Sequence, residues 1–118
     1  MQQFKWAYEK RWLGEYILDA NGNPVIAEDM LAWGLWMHET DRHIAIDRIG
    51  DVEVSTIFLG IDFGAAMWFA DDRNPLTYQP LLWETMIFGG KHDTWQQRYR
   101  SREAALAGHK LAVEMVTP

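Results

Sequence analysis

The sequence predicts an α+β fold: an antiparallel sheet of about four to five strands with two helices packed on one face. Three observations predict it. Two segments rich in β-branched residues, "HIAIDRI" (43–49) and "VEVSTIFLGI" (52–61), are separated only by Gly50-Asp51. The stretch "STIFLGID" (55–62) is echoed 29 positions later by "ETMIFGGK" (84–91), so that Thr56 matches Thr85, Phe58 matches Ile87, Leu59 matches Phe88 and Gly60 matches Gly89. Two other segments, 27–39 and 101–116, carry their apolar residues at helical spacing instead.

In chain order, "YILDANGNPVI" (16–26) sets the turn cluster Asn21-Gly22-Asn23-Pro24 between two short apolar pieces. Gly supplies and Asn tolerates positive φ, so a strand–turn–strand or strand–turn–helix is expected. Pro24 belongs at an edge or just before the next element. "AEDMLAWGLWMHE" (27–39) reads as a helix with Glu28 and Asp29 in its first turn, where carboxylates favour the positive end of the dipole. Met30, Trp33, Gly34 and Met37 form a stripe that Leu31 and Leu35 widen, so this helix is expected to be largely buried. Gly34 costs about 1 kcal/mol of propensity relative to Ala, and close packing against a sheet would offset it.

Residues 43–49 and 52–61 form a hairpin by pattern. Alternation sends Val52, Val54, Thr56 and Phe58 to one face and Glu53, Ser55, Ile57 and Leu59 to the other. Residues 62–80 mix aromatics with Asp71-Asp72 and Asn74-Pro75 and read as a long, partly packed loop, a type often functional. "LLWETMIF" (81–88) is a strand ended by Gly89-Gly90, joined by "GGKHD" (89–93) to a further strand in "TWQQRYR" (94–100). "SREAALAGHKLAVEMV" (101–116) is the second helix, with Ser101 as N-cap and Glu103 in its first turn. Its Ala105, His109, Ala112 and Val116 share a face flanked by Leu106 and Val113. The echo thus marks two sheet strands, each ending at a Gly where the chain turns sharply or passes close to another backbone.

A chain of 118 residues is the size of one domain, and 48% apolar residues with seven Trp provide core material. The absence of cysteine excludes a disulfide, a thiolate nucleophile and Cys-ligated zinc, and fits a reducing cytosol. No apolar run reaches the roughly 18–20 residues of a membrane span, and charges interrupt the aromatic start "MQQFKWAYEKRWLGEY", where a secretory signal would have a continuous apolar region. A mature cytoplasmic chain is expected. The net charge of −6 is uneven: residues 13–72 hold twelve carboxylates against Arg42 and Arg48, giving −10, while 1–12 and 91–118 each give +2. Such a middle disfavours general nucleic-acid binding, which needs a phosphate-neutralising surface. It suits a basic partner or mimicry of nucleic acid, besides its ordinary role in solubility.

Among candidate sites, "HETDRH" holds His38 and His43 at i, i+5, one residue beyond the i, i+4 spacing that puts two imidazoles on one helical face. A bent site with His38, Asp41 and His43 competes with a polar helix terminus, and the spacing favours the terminus. His109 on an apolar stripe reads as a hydrogen-bonded core histidine or as a titratable group opening on a pocket beside Gly108. In "GGKHD", Lys91 and His92 follow two Gly whose backbone N–H groups suit an anion, although G-x-x-x-x-G-K-[ST] is absent and a plain turn is favoured. Asp62, Asp71, Asp72 and Glu84 are candidate paired carboxylates. Ser55 lacks any G-x-S-x-G context for a hydrolase. Most of the Trp are expected in the core, where large rings stabilise a small domain. With Trp6, Tyr8, Trp12 and Tyr16 opening the chain and Trp68, Phe69 and Tyr78 in or beside the long loop, however, the surplus suggests one accessible cluster for a protein interface or for stacking on a nucleobase. The residues favoured for ligand contact are Lys91, His92, His109, Trp68 and Tyr78, with neither a metal nor a cofactor called for.

"YILDANGNPV" (16–25), "STIFLGID" (55–62), "ETMIFGG" (84–90) and "RYRSREAALAGHKLAVEMV" (98–116), in this order, resemble a family of small proteins of unassigned function encoded by bacteriophages and prophages. Where that family has a shorter Gly/Asn-rich connection, this chain carries the aromatic, acidic segment 62–80. The resemblance transfers no catalytic residue. It implies a phage accessory protein working in a host bacterial cytoplasm, of a kind that often counters host defences. The expected function is therefore binding, to a host protein or a small nucleotide-like ligand. A small metal-dependent hydrolase and a phage structural or assembly protein are the alternatives. An open sheet edge and the aromatic N-terminus admit a homodimer.

Overall fold

The computed structural model describes residues 14–64 and 79–118, which form an α+β arrangement in two compact units. The first unit comprises residues 14–41 with 60–64 and 79–81, and the second comprises 42–59 with 82–118. Trp6, Tyr8, Trp12, Trp68, Phe69, Asp71, Asp72 and Tyr78 lie outside the described residues.

In the first unit, β1 (Tyr16–Leu18) pairs antiparallel with β2 (Pro24–Ile26), and Pro24 opens its strand. The turn between them is organised by one carboxylate. Asp19 Oδ1 accepts from the N–H groups of Asn21 and Asn23, both at 2.9 Å, the short-range bonding that makes Asp a turn residue. On the other side of β1, Tyr16 N–H donates to Gly60 O at 2.8 Å and Asp62 N–H donates to Gly14 O at 2.7 Å. Asp62 is buried, and its Oδ1 accepts from Gly64 N–H and Leu81 N–H at 2.8 Å each. This carboxylate therefore organises backbone.

Helix α1 (Met30–Glu39) starts three residues later than the pattern suggested. Asp29 is its N-cap, with Oδ1 accepting from Ala32 N–H at 2.7 Å. An Asp gains more there, by satisfying a free helical N–H, than from dipole attraction in the first turn. Trp33 Nε1–H donates to Gly60 O at 2.9 Å. Met37, one turn on, packs so tightly on Gly60 (φ +77°) that a Cβ there would lie 2.5 Å from Sδ. The expected burial of this helix is corrected: none of its residues is fully buried, and Met30, Leu31 and Leu35 are 60%, 73% and 52% exposed. Among the described residues Gly34 also meets nothing within 4 Å, so none of the described strands packs on it. Trp33 and Met37 form the inner edge, and the wide apolar stripe continues past it into solvent.

The second unit is an antiparallel meander of β3 (His43–Ile49), β4 (Val52–Phe58), β5 (Trp83–Phe88) and β6 (Gln96–Tyr99), in that spatial order, with α2 (Arg102–Val116) against it. Of the two helices expected on one face, α2 lies on this sheet and α1 belongs to the first unit. Ser101 caps α2 by accepting from Ala104 N–H at 3.0 Å. The predicted inward face of β4 is the one beneath the helix. Cross-strand pairs Val54–Ile87, Thr56–Thr85 and Phe58–Trp83 all point there, the last with ring centroids 5.6 Å apart in an edge-on arrangement. On the opposite face, cross-strand ion pairs join Arg48 to Glu53 (2.8 Å) and Arg98 to Glu84 (3.0 Å).

The echoed glycines have the expected meaning. A Cβ on Gly89 (φ +93°) would sit 2.8 Å from Asp51 O, and Gly60 accommodates Met37 as described. Small residues also line the buried side of α2, at Ala105, Gly108 and Ala112, which lets the helix come close to the sheet. Tyr99 fills the space over Gly108, and its hydroxyl, like Trp83 Nε1–H, is buried with no hydrogen-bond partner among the described residues. No helix among the described residues is long and apolar enough to cross a membrane.

Two predictions follow from packing and burial. A methyl group at Gly108 would overlap the Tyr99 ring and its hydroxyl, so Gly108→Ala is expected to destabilise by about 1–3 kcal/mol despite the better helix propensity of Ala, read from urea unfolding. In the first unit Glu15 is buried, and desolvation raises its carboxyl above the ordinary 4.5. A raised folded-state pKa means the folded protein holds this proton more tightly than the unfolded chain. The associated stability is full below about pH 4.5 and is lost as pH rises through the folded value. Wild type should thus lose thermal stability relative to Glu15→Gln between acid and neutral pH, and parallel pH profiles would contradict this.

Candidate functional site

The densest polar constellation among the described residues lies between α2 and the centre of the sheet. Thr56 and Thr85 are direct cross-strand partners on β4 and β5, and their Oγ1 atoms are 2.5 Å apart. From α2, His109 brings Nδ1 to 2.7 Å from Thr56 Oγ1. Its Nε2 lies 2.7 Å from Asp47 Oδ2 on β3. One chain of hydrogen bonds thus joins three strands and the helix.

The proton positions follow from the donors available. The Asp47 carboxylate can only accept, so His109 Nε2–H donates to it. With the ring neutral, Nδ1 accepts from the Thr56 hydroxyl, which in turn accepts from the Thr85 hydroxyl. Every group is satisfied in this arrangement, as a buried network requires. Burial falls off along the chain: Thr56 and Thr85 are 0% exposed, His109 is 6% exposed, and the Asp47 side chain is 55% exposed.

Hydroxyl, imidazole and carboxylate in that order are the elements of a nucleophilic triad. Here the hydroxyl is sealed. A substrate carbonyl or phosphorus must approach Thr56 Oγ1, yet that atom sits mid-strand beneath a helix, with Thr85 and His109 on it. The network holds the helix on the sheet, and it offers no surface for attack. Ser55, the hydroxyl weighed from the sequence, lies on the opposite face of β4.

The other residues singled out in the sequence do not join this cluster. Lys91 and His92 sit in the turn between β5 and β6, beyond Phe88 and so roughly 10 Å along the strand from Thr85. Within that turn Gly89 N–H donates to Asp93 Oδ1 at 2.7 Å, so the chain's own carboxylate takes a donor that an anionic ligand would need. Trp68 and Tyr78 lie outside the described residues. His38 is exposed near the end of α1, His43 opens β3, and among the described residues no three His, Asp or Glu side chains converge to hold a metal ion. Glu84 is engaged by Arg98, and Asp62 by backbone N–H groups.

No family model, no curated protein and no solved structure matches this chain.

His109 was legible as a hydrogen-bonded histidine on an apolar stripe, but its partners were missed. Two signals pointed to them. Thr56 and Thr85 are the leading matched pair of the echo, and Asp47 shares the inward face of β3 with Ala45 and Ile49, an odd place for an acid unless a partner waits opposite.

Unequal effects are expected from two isosteric changes in the network. Thr56→Val removes the donor to His109 Nδ1 and the acceptor for Thr85 together, leaving two buried groups unsatisfied at about 1–3 kcal/mol each. Thr85→Val leaves the Thr56–His109 bond intact and should cost about 1 kcal/mol or less. Urea unfolding at neutral pH measures both, and equal costs would mean that the hydroxyls act independently.

Proposed function

We propose that this chain is a binding protein, a phage accessory protein that engages a host protein and so counters a component of host defence. The phage setting comes from the motif resemblance at 16–25, 55–62, 84–90 and 98–116. The observation that carries binding is the apolar side of α1 opposite Trp33, where Leu31 and Leu35, one turn apart, are both more than half exposed. Apolar side chains grouped this way on a surface mark contact with another molecule more often than scattered single ones do.

Hydrolysis is supported only by the order of Thr56, His109 and Asp47, and the burial of Thr56 opposes it. Capture of a nucleotide-like anion at Lys91 and His92 is opposed by Asp93, which takes the Gly89 donor.

Native mass spectrometry of the chain recovered gently from a bacterial lysate is expected to show a stoichiometric protein adduct. Activity assays with p-nitrophenyl esters and phosphodiesters are expected to stay at the buffer rate. A clean apo mass would overturn binding, and turnover abolished by Thr56→Val would put hydrolysis in its place.

A further inference from the structure

We infer that the outward face of α1 is the docking surface for a basic amphipathic segment of the partner protein, an inference that rests on the binding reading above. Its first support is the fixed rotation of the helix. Trp33 Nε1–H donates to Gly60 O at 2.9 Å and Met37 packs on the same residue, so the side bearing Leu31 and Leu35 is held outward and cannot turn in. These two leucines are i, i+4 neighbours on the side away from Trp33 and form one patch.

Gly34 adds a second support. It lies one turn after Met30 and beside Leu35, and among the described residues nothing stands within 4 Å of where its Cβ would be. A glycine in mid-helix weakens the helix, and no contact among the described residues requires it. Among the large exposed side chains it leaves a notch, into which a partner's side chain or backbone fits closely.

Charge identifies the occupant. Among the described residues of the first unit there are seven carboxylates (Glu15, Asp19, Glu28, Asp29, Glu39, Asp41 and Asp62) and no Lys or Arg. In the second unit seven Lys and Arg balance seven Asp and Glu. Glu28 and Asp29 precede the apolar face, and Glu39 and Asp41 follow it. An apolar patch bracketed by carboxylates selects apolar anchors flanked by Lys or Arg, because opposite potentials speed encounter and like charges exclude the wrong partner. Nucleic acid and anionic lipid are repelled. A second copy of this chain would bring carboxylates against carboxylates.

The probe is a synthetic helical peptide of about 20 residues built from Leu and Lys at amphipathic spacing, compared with its Leu/Glu counterpart. The full chain is expected to bind the Leu/Lys peptide, and Leu31→Glu/Leu35→Glu should weaken binding at least about tenfold. Glu28→Lys/Glu39→Lys, or a rise in salt from about 50 to 300 mM, should weaken it several-fold. Gly34→Leu, which fills the notch, should also weaken it. All substituted positions except Gly34 carry exposed side chains, and an unchanged thermal midpoint confirms folding. Failure of the Leu/Lys peptide to bind, equal binding of the Leu/Glu peptide, or indifference to the Leu31 and Leu35 changes would each overturn the inference. So would self-association abolished by Leu31→Glu/Leu35→Glu, which would make the occupant a second copy. A lysate protein still held by Leu31→Glu/Leu35→Glu would overturn this surface while leaving binding itself intact.

Discussion

The bond between the Thr56 hydroxyl and the His109 imidazole sets where α2 lies on its sheet. The apolar contacts there, Ala112 against Val54, Ile87 and their neighbours, are non-directional. A helix lined with small residues fits a sheet in more than one register. Sliding α2 by one turn, about 5.4 Å, would keep apolar groups facing apolar groups but strand two buried hydroxyls and an imidazole. The Thr85–Thr56–His109–Asp47 chain therefore supplies the specificity that hydrophobic burial alone lacks. It also accounts for a carboxylate on the inward face of β3, with the exposed end of the chain on solvent.

The two units distribute their chemistry in opposite ways. In the second, polar groups are drawn inside, the helix face is closed and positive and negative charges balance. In the first, carboxylates either organise backbone, as Asp19, Asp29 and Asp62 do, or bracket an apolar helix side left open. The protein's excess of negative charge is concentrated in the unit that also carries Leu31, the most exposed large apolar side chain among the described residues.

Much of the second unit could be read from the residues. Period-two alternation located β3 and β4, the Gly-terminated echo located β4 and β5, and Ser101 marked the start of α2, because each signal is local in the chain. The same pattern reading erred at α1. An apolar stripe says that side chains avoid water, but it does not say whether the same chain or another molecule will cover them, and Leu31 and Leu35 show the difference. The polar chain was harder for a second reason. Thr56, Thr85, His109 and Asp47 are brought together by strand register and helix placement across 62 positions, and neither spacing nor composition encodes that meeting directly. Only His109 stood out, because an imidazole on an apolar stripe conflicts with its surroundings.

The outer strands of the meander have a consequence for how the protein behaves when crowded. β6 is four residues long and displays Gln96, Gln97 and Arg98. β3 changes register between His43 and Ala45, which twists that border, and it sets Asp47 and Arg48 along it. Short, kinked and charged borders are poor templates for adding a further strand. Concentrated solutions of the folded chain should therefore resist fibrillar aggregation, even though a sheet built from "VEVSTIF" and "WETMIF" contains the apolar, β-branched segments from which cross-β stacks are made. The most aggregation-prone sequence is kept in the middle of the sheet, paired on both sides.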